Sequence, residues 1–268
     1  MAAAAAPAHD LHGAAGAGPP LLFSSGLGGL AGYWDEQWPA LLAAGHRAIT
    51  YDQRGCGRSA GILAADYRIA DMADDVLDLL DATGTPRCHF VGHALGGLVG
   101  LELARRAPAR LASLVLVNAW ARLSAHTARC FEARLALLDH AGPAAYLRAQ
   151  PLFLYPADWS EAHGARIEAE VAHAIAHFPG VASLRARIGA LQAFDATAAL
   201  AQIATPTLVI AAGDDLLVPW TCSQALAAGL PQARLQVLAH GAHALNVVEP
   251  EPFNARLLAF LAAQDSGT

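Results

Sequence analysis

Three separated stretches of the chain carry residues that could move protons and steady developing charge: VGHALGG at 91–97, GDDLLVP at 213–219 and GAHALN at 241–246. In the first, a short apolar run (CHFVG) opens onto Leu, Val and Ala. That is the layout of a strand that turns sharply into a helix and lifts one side chain at the tip. Such an elbow reads G-x-S-x-G, and its serine attacks the substrate. Gly92 and Gly96 are in place, but the tip is Ala94. A methyl group has no lone pair, so an acyl-enzyme at this position is excluded, and with it ordinary esterase, lipase and serine-amidase chemistry.

The other two stretches supply an acid and a base. Each follows a strand-like run, TPTLVIAA and ARLQVLAH, and the order elbow, acid, histidine is that of an α/β-hydrolase fold. Asp215 is the expected acid, because it precedes the LLVP turn by the spacing usual in that fold; Asp214 is the alternative and is expected to hold the turn. His243 is the expected base ahead of His240, since Gly241, Pro250 and Phe253 give it the customary surroundings. The loop SSGLGG at 24–29 has the position that supplies a main-chain donor to an oxyanion hole. The expected donors are the amides of Leu27 and Leu95. Main-chain groups need no serine, so charge stabilisation survives its loss.

Other side chains are weaker candidates. His93 adjoins the vacant tip and is expected to line the pocket wall, within reach of substrate. Tyr155 and Trp159, with Phe153, lie in an aromatic loop and either meet substrate or form a small core of their own. Arg122 and Arg148 are the arginines expected to bind a carboxylate. Asp52 and Arg54 brace the turn that carries Cys56, which no histidine is placed to activate. His173 and His177 stand four apart on an expected helix without a third ligand, so no metal site is expected.

These residues need a scaffold that brings strand ends together. Six apolar runs of strand length, at 21–24, 47–51, 88–92, 111–118, 207–211 and 233–238, alternate with helical patterns. That alternation predicts an α/β fold with a mostly parallel central sheet flanked by helices. In RIADMADDVLDLLDATG, Ile69, Met72, Ala73, Val76 and Leu80 recur at helical spacing, the Asp residues take the other face, and Gly84 ends the helix. Gly96, Gly97 and Gly100 let the helix after the elbow lie close to its strand, and Pro250 opens the last helix. From 121 to 204 the pattern is helical without strands, which predicts a lid inserted after the sixth strand. The expected organisation is a leader at 1–20, flexible or loosely packed, a core at 21–120 and 205–268, and the lid at 121–204. The leader lacks a basic n-region and is interrupted by His9, Asp10 and His12, unlike a signal peptide.

Composition narrows the function further. The 268 residues are 55% apolar and 15% charged, with a net charge of −6, and no clustered basic footprint for nucleic acid is present. All 17 basic side chains counted as Lys or Arg are arginines, which removes lysine Schiff-base chemistry and the P-loop lysine. Four scattered cysteines form no C-x-x-C pair and suit reduced thiols in a cytoplasmic protein. No apolar run approaches a membrane span. A small-molecule substrate is the expected partner, with no nucleic acid and no membrane, and the oligomeric state is not legible.

A base, an acid and an oxyanion hole without a nucleophile leave several readings: a serine removed by mutation, a binding protein for a metabolite or partner, a cofactor-free oxygenase, or a hydrolase with no covalent step. The last suits small C–N compounds. An enamine or imine is hydrolysed by adding water to carbon and expelling ammonia, and carbamate breaks down when its nitrogen is protonated; both need protons moved. Over about 21–261 the chain resembles the RutD family of α/β-hydrolase-fold proteins. The resemblance is carried by SGLGG with Tyr33 and Trp34, YDQRG, VGHALG, HTARCF, AQPLFLYPADW and DDLLVP. The lid loop weighs most, because lids diverge widely in this superfamily. The resemblance implies that alanine is native at position 94. It also implies a hydrolase of uracil breakdown that acts on carbamate or 3-aminoacrylate and needs neither cofactor nor metal.

Overall fold

A computed structural model describes residues 5–14 and 18–265. Its sheet has seven strands: β1 (His9–His12), β2 (Leu21–Ser24), β3 (Ala48–Tyr51), β4 (Cys88–His93), β5 (Leu111–Val117), β6 (Thr207–Ala212) and β7 (Ala233–Leu238). Their spatial order is β1-β3-β2-β4-β5-β6-β7. All neighbours are parallel except β1, which runs antiparallel to β3. The six strands read from apolar runs fall within a residue of their expected bounds.

The seventh strand corrects the reading of the leader. HDLH has no apolar alternation, yet His9 to His12 pair with Tyr51 to Ala48 in register. Side-chain contacts hold it: the His12 ring stacks on Trp38 at 4.6 Å, His12 Nε2 lies 2.8 Å from Thr50 Oγ1, and Asp10 pairs with Arg58 at 2.6 Å. The unpaired edge of β3 therefore templates a strand that composition alone does not favour.

Period-two alternation sends neighbouring strand residues to opposite faces. Leu22, Phe90, Leu114, Leu116 and Val209 pack with Met72, Val76 and Leu98 of α2 (Ile69–Ala82) and α3 (Leu95–Arg106), the two α-helices that follow α1 (Trp38–Ala43). Phe23, Val91, Val115, Val117 and Ile210 face α1 and the C-terminal helix through Leu41, Phe253 and Leu257. Both faces are covered, which is why these strands read as continuous apolar runs. Helix α2 buries the expected residues but also Asp75, which accepts from Arg54 Nε at 2.7 Å and Tyr67 Oη at 2.6 Å. A buried carboxylate on the apolar face is stable only when paired in this way.

The lid enters after β5, the fifth strand along the chain, not the sixth, because the leader contributes a single strand. It consists of α4 (Ala125–Ala149), α5 (Pro151–Leu154), α6 (Ala157–Ala162), α7 (Gly164–Ala176) and α8 (Val181–Ala193). Within α4, Gly142 at φ 83° followed by Pro143 breaks the helical path. The core then resumes with β6, α9 (Trp220–Gly229), β7, α10 (Leu245–Val248) and α11 (Pro250–Asp265), the last opened by proline as expected. Lid hydrogen bonds land on loops beyond the strands' carboxyl ends: His126 Nε2 with Leu216 O at 2.6 Å, Ser183 Oγ to Gly61 O at 3.2 Å, and Ala244 N to Leu154 O at 2.9 Å. That end of an open parallel sheet is where such folds build their sites. Among the described residues, no helix is long and apolar enough to cross a membrane.

Candidate active site

The elbow is built by two close approaches. A Cβ on Gly92 would lie 2.4 Å from Gly96 O, and one on Gly96 would lie 2.2 Å from Ser24 O. Only glycine lets α3 start this near β4 and β2. Between them Ala94 takes φ 47°, ψ −112°, a conformation costly for any residue with a side chain. Asn118 (φ 47°) and Ala242 (φ 49°) share the positive φ, and among the described non-glycine residues these three are the only such cases. All three follow strand ends at the same side of the sheet. Strain gathered in one place is held by its surroundings and commonly marks a functional site.

Asp215 and His243 meet there. His243 Nδ1 lies 2.7 Å from Asp215 Oδ2, and both side chains are buried. Asp215 Oδ1 accepts from the amides of Leu217 at 2.8 Å and Val218 at 2.9 Å, so the acid is fixed by the turn that follows it. A carboxylate already engaged in this way takes the hydrogen from Nδ1, which leaves Nε2 with its lone pair for proton transfer. Asp214 does other work: its Oδ1 accepts from Ala242 N at 2.8 Å and so holds the histidine loop. His240 pairs with Glu249 at 2.9 Å and Asp158 at 3.3 Å, away from this pair.

The His243 backbone is held as firmly as its ring. Asn118 Nδ2 donates to Ala242 O at 3.1 Å and His243 O at 2.9 Å, while its Oδ1 accepts from Ala212 N at 3.0 Å. Asn118 thus ties three strand ends together, a role unrecognised in the sequence, where it reads as the last residue of β5. Its one signal there is a polar side chain closing the apolar run LASLVLV.

His93 donates from Nε2 to His243 O at 2.8 Å, and its ring centroid lies 4.7 Å from that of His243 and 4.8 Å from that of Tyr33. Its Nδ1 is buried without a partner. Burial, then the neighbouring His243, hold the His93 pKa well below its ordinary 6.5. The consequence for stability has a definite sign. Below about pH 6.5 the unfolded chain takes up a proton that folded His93 refuses, so stability is full above that pH and falls as pH drops. The expected slope is at most ~1.4 kcal/mol per pH unit for one proton. Thermal unfolding between pH 8 and pH 5 measures it, and His93→Gln, which keeps the Nε2-like donor, should flatten the profile. A wild-type midpoint independent of pH over this range would refute the assignment.

Leu95 N opens α3, where helix amides have no partner of their own. Leu27 N donates to nothing among the described residues. Their loop approaches the tip closely: a Cβ on Gly26 would sit 3.7 Å from that of Ala94. Arg187, from α8 of the lid, braces this loop from behind. It is 1% exposed and donates to Leu27 O at 3.1 Å, to Arg54 O at 3.4 Å and to Gln53 Oε1. The sequence gives no hint of this contact across 160 residues.

The remaining expected residues fare differently. Tyr155 and Trp159 stack on each other at 4.6 Å, and Tyr155 Oη donates to Glu170 at 2.7 Å, so they form part of the lid's own packing. Arg122 and Arg148 are both exposed, and Arg122 forms an antiparallel bridge with Asp195 where the lid returns to the core. Solvent competes for both guanidinium groups. Cys56 is buried and its thiol is pushed up by desolvation. His173 and His177 stack at 4.1 Å, and no group of three or more His, Cys, Asp or Glu side chains among the described residues could hold a metal ion.

Comparison with known proteins agrees with the fold. Residues 19–154 match the family described as alpha/beta hydrolase fold. A protein of Variovorax paradoxus strain S110 named "Putative carbamate hydrolase RutD" is 63% identical over 254 residues, covering 95% of both chains. A protein of the same name from Pseudomonas savastanoi pv. phaseolicola is 54% identical, covering 96% of this chain and 99% of the other. The chain belongs to the RutD family of α/β hydrolases. Solved structures similar to this RutD-family chain include a hydrolase from Pseudomonas aeruginosa PA01, 36% identical with a TM-score of 0.83, covering 94% of this chain and 93% of that one. The enol-lactonase from Burkholderia xenovorans LB400 is 26% identical with a TM-score of 0.83 and 95% coverage of both. This RutD-family chain is an enzyme of the hydrolase class.

Proposed function

We propose that this RutD-family enzyme hydrolyses the C–N bond of carbamate or 3-aminoacrylate during pyrimidine breakdown, by general acid–base catalysis without a covalent intermediate. One observation carries the reading: a buried His243–Asp215 pair stands beside an elbow whose tip has no nucleophile. The names of the relatives support carbamate, and 3-aminoacrylate asks for the same proton transfers.

For 3-aminoacrylate, the imine tautomer, protonated on nitrogen, is attacked at carbon by water while His243 Nε2 takes one of the water's protons, giving the neutral carbinolamine. The imidazolium returns that proton to the nitrogen, and the hydroxyl then gives its own proton to Nε2 as the C–N bond breaks, releasing ammonia and leaving the aldehyde. For carbamate, proton delivery to nitrogen releases ammonia and carbon dioxide. The Leu27 and Leu95 amides steady negative charge as it develops on oxygen. His243 supplies about 10²–10⁴-fold, the usual range for a positioned acid–base group. Purified protein should accelerate ammonia release from freshly generated 3-aminoacrylate or from carbamate; rates equal to the buffer blank with both compounds would reject the reading.

The vacant tip gives a second check. Ala94→Ser should produce slow turnover of p-nitrophenyl acetate and a mass increase of one acetyl group on the protein. Complete inertness of the variant would mean that residue 94, His243 and the oxyanion loop do not converge.

A further inference from the structure

Helix α4 of the lid carries a row His126, Cys130, Arg134, spaced four residues apart and therefore on one face. The first two members touch the acid loop: Leu216 O lies 2.6 Å from His126 Nε2 and 3.8 Å from Cys130 Sγ. The third lies one helical turn farther along. There Phe153 sits with its ring centroid 5.5 Å from the Arg134 guanidinium carbon. Phe153 adjoins Leu154, whose carbonyl accepts from Ala244 N at 2.9 Å, directly after His243. Arg134 is thus placed between a helix face seated on the Asp215 loop and a lid segment bonded to the His243 loop.

Its chemistry is unusual for such a position. Arg134 is 3% exposed, yet no carboxylate is paired with it among the described residues. Nη2 donates to Tyr146 Oη at 2.7 Å and, weakly, to Gln150 Oε1 at 3.4 Å, and Nε is buried with no acceptor. The rings of Phe131, Tyr146 and Phe153 surround the guanidinium at 4.8–5.5 Å. Desolvation lowers its pKa from the ordinary value. The other buried lid arginine, Arg187, is unlike it, because the Leu27 carbonyl of the oxyanion loop and the Gln53 side-chain oxygen meet its charge. A guanidinium buried without an anion is costly to the fold, and aromatic faces offset only part of that cost.

We propose that Arg134 is the receptor for the carboxylate of the substrate, which fills the acceptor position its buried Nε lacks. The inference rests on the C–N hydrolase reading above, since carbamate and 3-aminoacrylate are both small carboxylates. A planar guanidinium matches a carboxylate through two parallel N–H···O bonds, and aromatic walls keep water from competing. Arg134 then selects anionic substrates and sets the distance of the reactive carbon from His243.

The test pairs binding with kinetics on the full-length protein. Titration calorimetry with propionate, a stable three-carbon carboxylate, should show binding to wild type, and the neutral isostere propionamide should not bind. Arg134→Met should weaken propionate by about 10- to 100-fold and raise KM for 3-aminoacrylate or carbamate by a similar factor with kcat little changed. Arg134→Lys, which keeps charge but not the fork, should fall between. Because the cation is unpaired in the free protein, Arg134→Met should leave the apo melting temperature equal or higher. Wild-type affinity for propionate in both variants overturns the proposal, as does failure of both to fold, which would make Arg134 structural. If propionate binds through Arg134 but neither compound is consumed faster than in buffer, the receptor stands and the reaction assignment fails. If catalysis is present with KM unmoved in both variants, the receptor alone fails.

Discussion

His243→Ala should reduce the enzyme's acceleration of ammonia release by about 10²–10⁴-fold, removing nearly all of it. The imidazole, held by Asp215, is the group placed to take a proton from water and return one to nitrogen. His93 cannot substitute: its Nε2 is occupied by His243 O, and desolvation keeps its Nδ1 from holding a proton. Added imidazole should recover part of the rate in the alanine variant, because the excised ring leaves room beside Asp215. Substrate binding should change far less than turnover. An alanine variant as fast as wild type would identify a metabolite-binding protein in place of a catalyst.

Asp215→Asn should cost a comparable factor, for a different reason. Three donors converge on this carboxylate: the amides of Leu217 and Val218 on Oδ1, and His243 Nδ1–H on Oδ2. An asparagine has one acceptor oxygen. If that oxygen keeps the two amides, its NH₂ points at Nδ1 and forces the ring into the tautomer with hydrogen on Nε2, so the base is lost. If the oxygen turns to the histidine, two buried amides lose their acceptor, at about 1–3 kcal/mol. Either way the rate falls by about 10²-fold or more. In the first case the downfield proton signal of Nδ1–H disappears from the NMR spectrum, and in the second the melting temperature drops. Wild-type rate, spectrum and stability together would show that Asp215 does not orient the histidine.

The sheet and the pairing of Asp215 with His243 were legible because both are written locally. Buried parallel strands are short apolar runs, and each half of the acid–histidine pair sits just beyond one such run, in an order characteristic of the fold. What escaped was written across distance. The leader strand depends on the free edge of β3, not on HDLH itself. Asn118 acts on a residue 125 positions later and Arg187 on one 160 positions earlier, so neither contact leaves a local pattern. The lid arginines show the difficulty most directly. Arg122, Arg134, Arg148 and Arg187 are alike by type, and burial alone separates them: Arg122 and Arg148 are exposed, Arg134 and Arg187 enclosed.

The bond from Ala244 N to Leu154 O joins main chain to main chain. No side-chain substitution deletes it outright, proline at 244 excepted, so evolution cannot easily loosen this seam by ordinary point changes. Any displacement of the 151–154 segment breaks it at the residue next to His243. The seam between lid and core and the placement of the imidazole therefore rest on one stretch of main chain.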